Sequence, residues 1–302
     1  TAIAAALLTS ACGGGGSSST GGGGSSSTTP TPVSNPKTLS GVVAKGVVRQ
    51  GLLTAYESIG GAWVLRGTAR TDAAGQYSVE LLDYVGGPLK VLATADGATK
   101  MKCDVEKCGD AAFGSEVALS KNFAMETIIP GHVTTPVPVS PYTNMVAAYL
   151  ESLNGNKGGV TKEQIEAAAA TFSQLTGFPV LKTAVPDVTD SSKFAAGTSE
   201  QKLAGLLGAA ILKMAIDNKQ DVTAVLSDLA KAYADGSLDG DAAIIKRLLD
   251  SWAAIASDAK LSALLASNSA VQGLLKSQIE AISALCTKNQ CNLDPQEKDK
   301  AD

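Results

Sequence analysis

Histidine is nearly missing from this chain of 302 residues, which has only His132. A site needing two histidines is therefore excluded, including the H-E-x-x-H helix of zinc peptidases. His132 follows the last β-prone run, just before a Pro-rich stretch, and reads as a surface residue. G-x-S-x-G and the phosphate-binding P-loop are also lacking. The glycine runs at Gly13 and Gly21 have no strand before them and no helix after, so they are not phosphate cradles. Aromatic residues make up 4% of the chain, too few to line the ring-rich cleft usual for a paired-carboxylate glycosidase. No cluster of Lys and Arg stands out, and the net charge is −4, so no nucleic-acid partner is expected. The most apolar stretch, Leu203–Ile216, contains Lys213 and is too short to cross a bilayer. No catalytic constellation, resident metal or cofactor follows from these residues.

What is present begins with an apolar, uncharged opening, Thr1–Thr9, read as the tail of a signal-peptide hydrophobic region. It runs into Leu8-Thr9-Ser10-Ala11-Cys12, which resembles the lipobox of bacterial lipoproteins, where small residues precede a cysteine that receives diacylglycerol. The resemblance implies lipidation of Cys12 and a lipid bilayer as partner. With Gly13 after the cysteine, it implies the outer membrane in a Gram-negative cell. Gly13–Thr28 reads GGGGSSSTGGGGSSST, a repeat that cannot bury a core. Together with Pro30, Pro32 and Pro36 it makes a tether over 13–36 with a reach of about 25–30 Å.

Five cysteines occur. With Cys12 assigned to lipid, the rest form two pairs of equal spacing, Cys103/Cys108 and Cys286/Cys291. Export favours a disulfide in each pair, contributing roughly 2 kcal/mol apiece in the chain-entropy description. A four-cysteine zinc site is the rival. Residues five apart on one helix point roughly 140° away from each other, so a helix is expected to end near Cys286.

From Leu39 to about Pro130, short β-prone runs alternate with turn residues: Ser40–Arg49, Leu52–Glu57, Ala62–Thr71, Gln76–Tyr84, Leu89–Ala95, Thr99–Val105 and Glu116–Ile129. About seven strands at this spacing predict an antiparallel sandwich over 37–133. The segments Gly41-Val42-Val43-x-x-Gly46-Val47-Val48, Leu53-x-Ala55-Tyr56 and Thr71-Asp72-x-x-Gly75-x-Tyr77-x-Val79 resemble the carboxypeptidase regulatory-like family, which implies a transthyretin-like sandwich. In the last segment Asp72 can bond its own backbone, Gly75 can take positive φ, and Tyr77 opens the next strand.

Thr134–Pro141 reads as a stiff linker, placed at 134–142. Beyond it the apolar period becomes helical, and a bundle of about six helices is predicted over 143–291. The first is Thr143–Leu153. Ile165, Ala168, Ala169, Phe172 and Leu175 form a stripe after a Thr161…Gln164 capping box. Leu203, Leu206, Leu207, Ala210, Ile211 and Met214 follow Thr198…Gln201, and Val222, Val225, Leu226, Leu229 and Tyr233 follow an Asp221 N-cap. Two more stripes run from Ile244 to Ile255 and from Val271 to Ile282. A solvated tail, 292–302, closes the chain.

The fold class is thus a multidomain α and β protein: a seven-stranded sandwich followed by a helical bundle. The functional expectation is a non-enzymatic envelope lipoprotein with a binding or structural role toward an envelope protein or glycan. A carbohydrate-binding module is the first alternative, with Tyr56, Trp63 and Tyr84 as weak contacts against the plainer reading that these rings fill the core. An unrecognised hydrolase is the second. Asp235, Ser237, Asp239 and Asp241 match the first half of a calcium loop, but Lys246 stands where a bidentate Glu is required, so a helix–helix turn is favoured there.

Overall fold

The computed structural model describes residues 37–155, 157–238 and 242–288, the side chains of 286–288 excepted. Among these residues the chain is mixed: strands first, helices after.

Four antiparallel strands form the largest sheet, in the order β11-β6-β3-β4. They are β3 (Leu52–Ile59), β4 (Ala62–Arg70), β6 (Leu89–Thr94) and β11 (Ala124–Ile129). Leu53 and Ala55 on β3 and Leu89, Val91 and Ala93 on β6 alternate inward and are fully buried, as the period of two requires for a sheet with one face on a core. A second sheet is ordered β12-β1-β5, from β1 (Lys37–Val43), β5 (Gln76–Leu81) and β12 (Val137–Val139). Leu39 and Val43 of β1 and Val79 and Leu81 of β5 face inward from it. The two sheets meet where β4 passes β5. The Leu82 N–H donates to the Arg66 carbonyl at 2.8 Å, and a Cβ on Gly67 would lie 2.2 Å from the Glu80 carbonyl oxygen.

The predicted hairpin is present. Asp72 Oδ1 accepts from the Ala74 and Gln76 amides, Gly75 has φ +74°, and Tyr77 lies in β5.

Several expectations are corrected. The first β-prone run breaks at Gly46, whose φ of +58° turns the chain, so that β2 (Val48–Arg49) joins a separate sheet with β7 (Lys100–Lys102) and β10 (Glu116–Ala118). The last run breaks into β10 and β11, with a turn closed by Phe123 N–H to Ser120 O between them. The Cys103–Cys108 disulfide is formed, with Cα atoms 5.8 Å apart, and its closing end opens a small hairpin, β8 (Lys107–Cys108) with β9 (Ala111–Ala112). Among the described residues, twelve short strands therefore stand where seven were expected.

The stretch expected as a linker is no spacer. Val137–Val139 is β12, buried at every residue, and it pairs with β1 in parallel, Gly41 to Val137 and Val43 to Val139. The sheets are thus not purely antiparallel. Pro138 is tolerated because β12 is an edge strand, where a missing N–H breaks no ladder. Ser140 follows at once as N-cap of α1 (Pro141–Ser152), in a reciprocal capping box with Thr143.

The helices are α1, α2 (Lys162–Thr176), α3 (Ser191–Ala196), α4 (Ser199–Asp217), α5 (Val222–Ala232), α6 (Ala242–Ala253), α7 (Ala259–Ala266) and α8 (Ser269–Lys288). The capping boxes at Thr161/Gln164 and Thr198/Gln201 and the Asp221 cap form as the sequence predicts. α4 is the axis of the helical region, buried continuously from Leu203 to Leu212. The two helices beyond the expected six, α3 and α7, each bury one residue, Phe194 and Leu261, so neither shows a stripe. Asp190 and Asp258 start them by accepting backbone amides. α8 continues to Lys288, slightly past its expected end. One group of aromatics gathers where α1, α2 and α5 converge. Tyr142 packs 6.3 Å from Phe172 and 5.7 Å from Phe178, and Phe172 lies 4.6 Å from Tyr233. One apolar core runs from Leu39 on β1 to Ile282 on α8, and the described residues fall within one compact unit.

Two substitutions probe the β1–β12 junction. Tyr77 Oη donates to the Val137 carbonyl at 2.9 Å, so Tyr77→Phe should cost about 1 kcal/mol in urea denaturation. Gly41→Ala should cost more, about 3 kcal/mol, because its Cβ would sit 1.9 Å from the same carbonyl oxygen. Equal, small losses for the two would show that the strands can separate freely.

Candidate functional site

A set of interacting polar side chains lies where α1 crosses the outer face of the four-stranded sheet. α1 is pinned to β11 at Glu126: the Glu126 N–H donates to Asn144 Oδ1 at 3.0 Å, and Thr143 Oγ1 donates to the Glu126 carbonyl at 3.1 Å. The register sets Lys90 on β6 opposite Tyr56 on β3, and Ser58 opposite Trp63 on β4. Outward-facing groups from four elements therefore converge. Lys90 Nζ lies 2.6 Å from Glu151 Oε1 on α1 and 3.9 Å from Glu126 Oε2. The same ammonium stands over the Tyr56 ring at 5.6 Å and the Trp63 ring at 5.0 Å.

The three charged side chains are about 15% exposed, so water screens them weakly. Burial and the Glu151 charge push the Glu126 carboxyl up to about 7, against the pull of Lys90. Two carboxyls sharing a hydrogen bond while competing for one ammonium cannot both ionise at low cost. Glu126 thus exchanges its proton near neutrality, the property required of a general acid or base. Glu126 lines none of three grooves formed by the described residues. These grooves, of about 370, 490 and 550 Å³, are lined by other residues: Val180 and Leu181, Gln76 and Lys193, and Asn122 and Asp221, among others. The cluster works as a clamp between sheet and helix.

Of the rings proposed for glycan contact, Tyr56 and Trp63 come together over Lys90, and Trp63 is further covered by Gly158, where a Cβ would lie 3.0 Å from the indole. The Trp63 N–H is buried without an acceptor among the described residues. Tyr84 belongs to another group. Its hydroxyl donates to the Gly87 carbonyl and accepts the His132 N–H, both at 2.8 Å, while His132 Nε2 lies 3.0 Å from the Thr38 carbonyl oxygen. Beside it, Glu57 is fully buried. A bulge between Ala55 and Tyr56 leaves Arg66 unpaired on β4, and its guanidinium reaches Glu57 at 2.7 Å. Burial pushes the Glu57 carboxyl up, but the Gly87 and Val85 amides and Arg66 outweigh it and hold its pKa below the usual glutamate value.

In the calcium-loop candidate, Asp235 Oδ1 accepts the Ser237 N–H at 2.9 Å beside Gly236 at φ +84°, an Asx-type turn. Asp239 and Asp241 lie outside the described residues, as do Cys12, Cys291 and the Cys286 side chain. Among the described residues, no three His, Cys, Asp or Glu side chains gather as a metal site. The Lys90–Glu126–Glu151 cluster was not foreseen: its members are scattered in sequence, and each reads alone as an ordinary solvated charge. The one available signal is Glu126, the single charge in the β-prone run Met125–Ile129.

No protein-family model, curated protein or solved structure matches this chain.

The two glutamates give opposite pH signatures. Glu126 is raised, so the stability it provides is full below the unfolded glutamate range near pH 4.5 and is lost as pH rises through about 7. Thermal unfolding followed from pH 4.5 to 8 should show a decline of order 1–3 kcal/mol, which Glu126→Gln flattens. Glu57 is lowered, so its contribution is present above the ordinary glutamate pKa and is lost as pH falls through the lower folded value. An unchanged neutral-side slope in Glu126→Gln would assign that decline to another group.

Proposed function

We propose that this chain is an exported lipoprotein of the bacterial envelope, held to a membrane by acyl chains on Cys12. Its folded body, borne on the 13–36 tether, would serve a binding or structural role rather than catalysis. The observation that carries the reading is the Leu8–Cys12 segment running directly into GGGGSSSTGGGGSSST. The closed Cys103–Cys108 disulfide supports it, since such bonds persist in oxidising compartments. No described helix is long and apolar enough to cross a membrane, so attachment through the described residues would need another device. The outer membrane is the expected destination in a Gram-negative host.

Within this reading the β region belongs to the transthyretin-like sandwiches, as the resemblance to carboxypeptidase regulatory-like domains implies. The Thr71–Tyr77 hairpin and the inward alternation of β1, β3, β5 and β6 support the assignment. A carbohydrate-binding role is disfavoured by the engagement of Tyr56 and Trp63 with Lys90.

Metabolic labelling with palmitate in the native host tests the anchor. The wild-type chain should take up label and sediment with membranes, and Cys12→Ala should do neither. Mass spectrometry that finds an unmodified Cys12 thiol in membrane-associated protein would refute the reading.

A further inference from the structure

The interior of the β region holds a lysine and an aspartate whose polar atoms the fold leaves incompletely served. Lys45 sits in the turn after β1, where Ala44 bridges to Val47, and is fully buried. Asp104 follows Cys103 in the disulfide loop and is 3% exposed. Lys45 Nζ lies 3.6 Å from Asp104 Oδ2, beyond hydrogen-bonding distance. Among the described residues, neither Lys45 Nζ nor Asp104 Oδ1 has a hydrogen-bond partner within bonding distance. Glu57 and Arg66, a few strands away, show what a satisfied buried pair looks like in this fold, with three donors on one carboxylate. A buried ion pair lacking such bonds does not recover its desolvation cost. An amide would recover it, by replacing two charged groups with one neutral one.

We propose that Lys45 and Asp104 condense to form an intramolecular isopeptide bond. The Lys45 Nζ lone pair attacks Asp104 Cγ, the Nζ–Cγ bond forms, and one Cγ–Oδ bond breaks. The departing hydroxyl leaves as water, carrying a proton from the amine. No electron changes hands and no co-reactant is needed. The step requires a neutral amine and a neutral acid, and the site favours both. Burial drives the Lys45 pKa down and the Asp104 pKa up, with the mutual attraction opposing each shift. The Gly46 and Asp104 amides bear on the carboxyl, where they can stabilise charge developing on oxygen. The 3.6 Å between Lys45 Nζ and Asp104 Oδ2 sets the amine beside the carboxyl, so that a small side-chain movement brings Nζ onto Cγ for attack. Asp104 also borders a cavity of about 30 Å³ lined by Val47, Val188 and Gly205, large enough for the one water released.

Tryptic mapping of the full-length chain after reduction and alkylation tests this directly. The expected product is a branched species joining Thr38–Arg49, uncleaved at Lys45, to Cys103–Lys107, lighter than the sum of its parts by one water. In intact-mass comparison, Lys45→Arg and Asp104→Ala should each regain that water beyond the residue difference. Separate peptides ending at Lys45 and starting at Cys103, with no branched species, would overturn the proposal and leave an ordinary ion pair. The wild-type digest decides the matter even if neither variant folds.

Discussion

The parallel pairing of β12 with β1 is the contact on which the rest of the molecule turns. It is short, only Gly41–Val43 against Val137–Val139, yet it joins the first described strand to the residues that launch the first helix. Three constraints meet there. Gly41 must lack a side chain so that the Val137 carbonyl can approach, Tyr77 must span from β5 to bond that carbonyl, and Ser140 must cap α1 with no slack after Val139. Because the helix begins where the strand ends, its direction is set by the sheet. α1 is thereby laid along β11, and α2 and α5 pack on the far side of its rings. Without that junction, an apolar helical bundle and a small sheet would each expose a face that now forms one core.

A second theme is how a chain poor in aromatics manages charge inside its β region. Three clusters are solved differently. Glu57 is enclosed but fully supplied with donors, because the bulge on β4 turns Arg66 toward it. Lys90 is shared by two acids and two rings at the boundary between sheet and helix, so its environment titrates. Lys45 and Asp104 are the least satisfied. Depth alone does not decide the outcome: Glu57 and Lys45 are equally buried, and it is the supply of hydrogen-bond donors that keeps Glu57 charged while burial drives Lys45 and Asp104 toward their neutral forms.

Much of the helical region was legible because its signals are local. The Thr161, Thr198 and Asp221 caps lie within one turn of the groups they serve, and the stripes from Ile165 to Ile282 record a single buried face. The Thr71–Tyr77 hairpin was legible for the same reason. β12 was not, since Val137-Pro138-Val139 has the composition of a spacer and becomes a strand only through partners some hundred positions earlier. The clamp on Lys90 was hidden likewise: Tyr56, Lys90, Glu126 and Glu151 come from separate elements, and sheet register alone brings them together. The rings offered for glycan contact were half-legible, with Tyr56 and Trp63 meeting as neighbours and Tyr84 tied to His132 and Gly87 instead.

The position of β1 also has a mechanical consequence. Traction transmitted along the backbone from residues before Lys37 enters the fold at the middle strand of its sheet, flanked by β5 and β12. Lys37–Ser40 pair with β5 alone, and Gly41 and Val42 with both neighbours, so a pull that has opened the first part of the β5 ladder then meets two ladders at once. Anything that tugs on the amino-terminal end meets this paired resistance before it can disturb Lys90, the helices or the core beneath them.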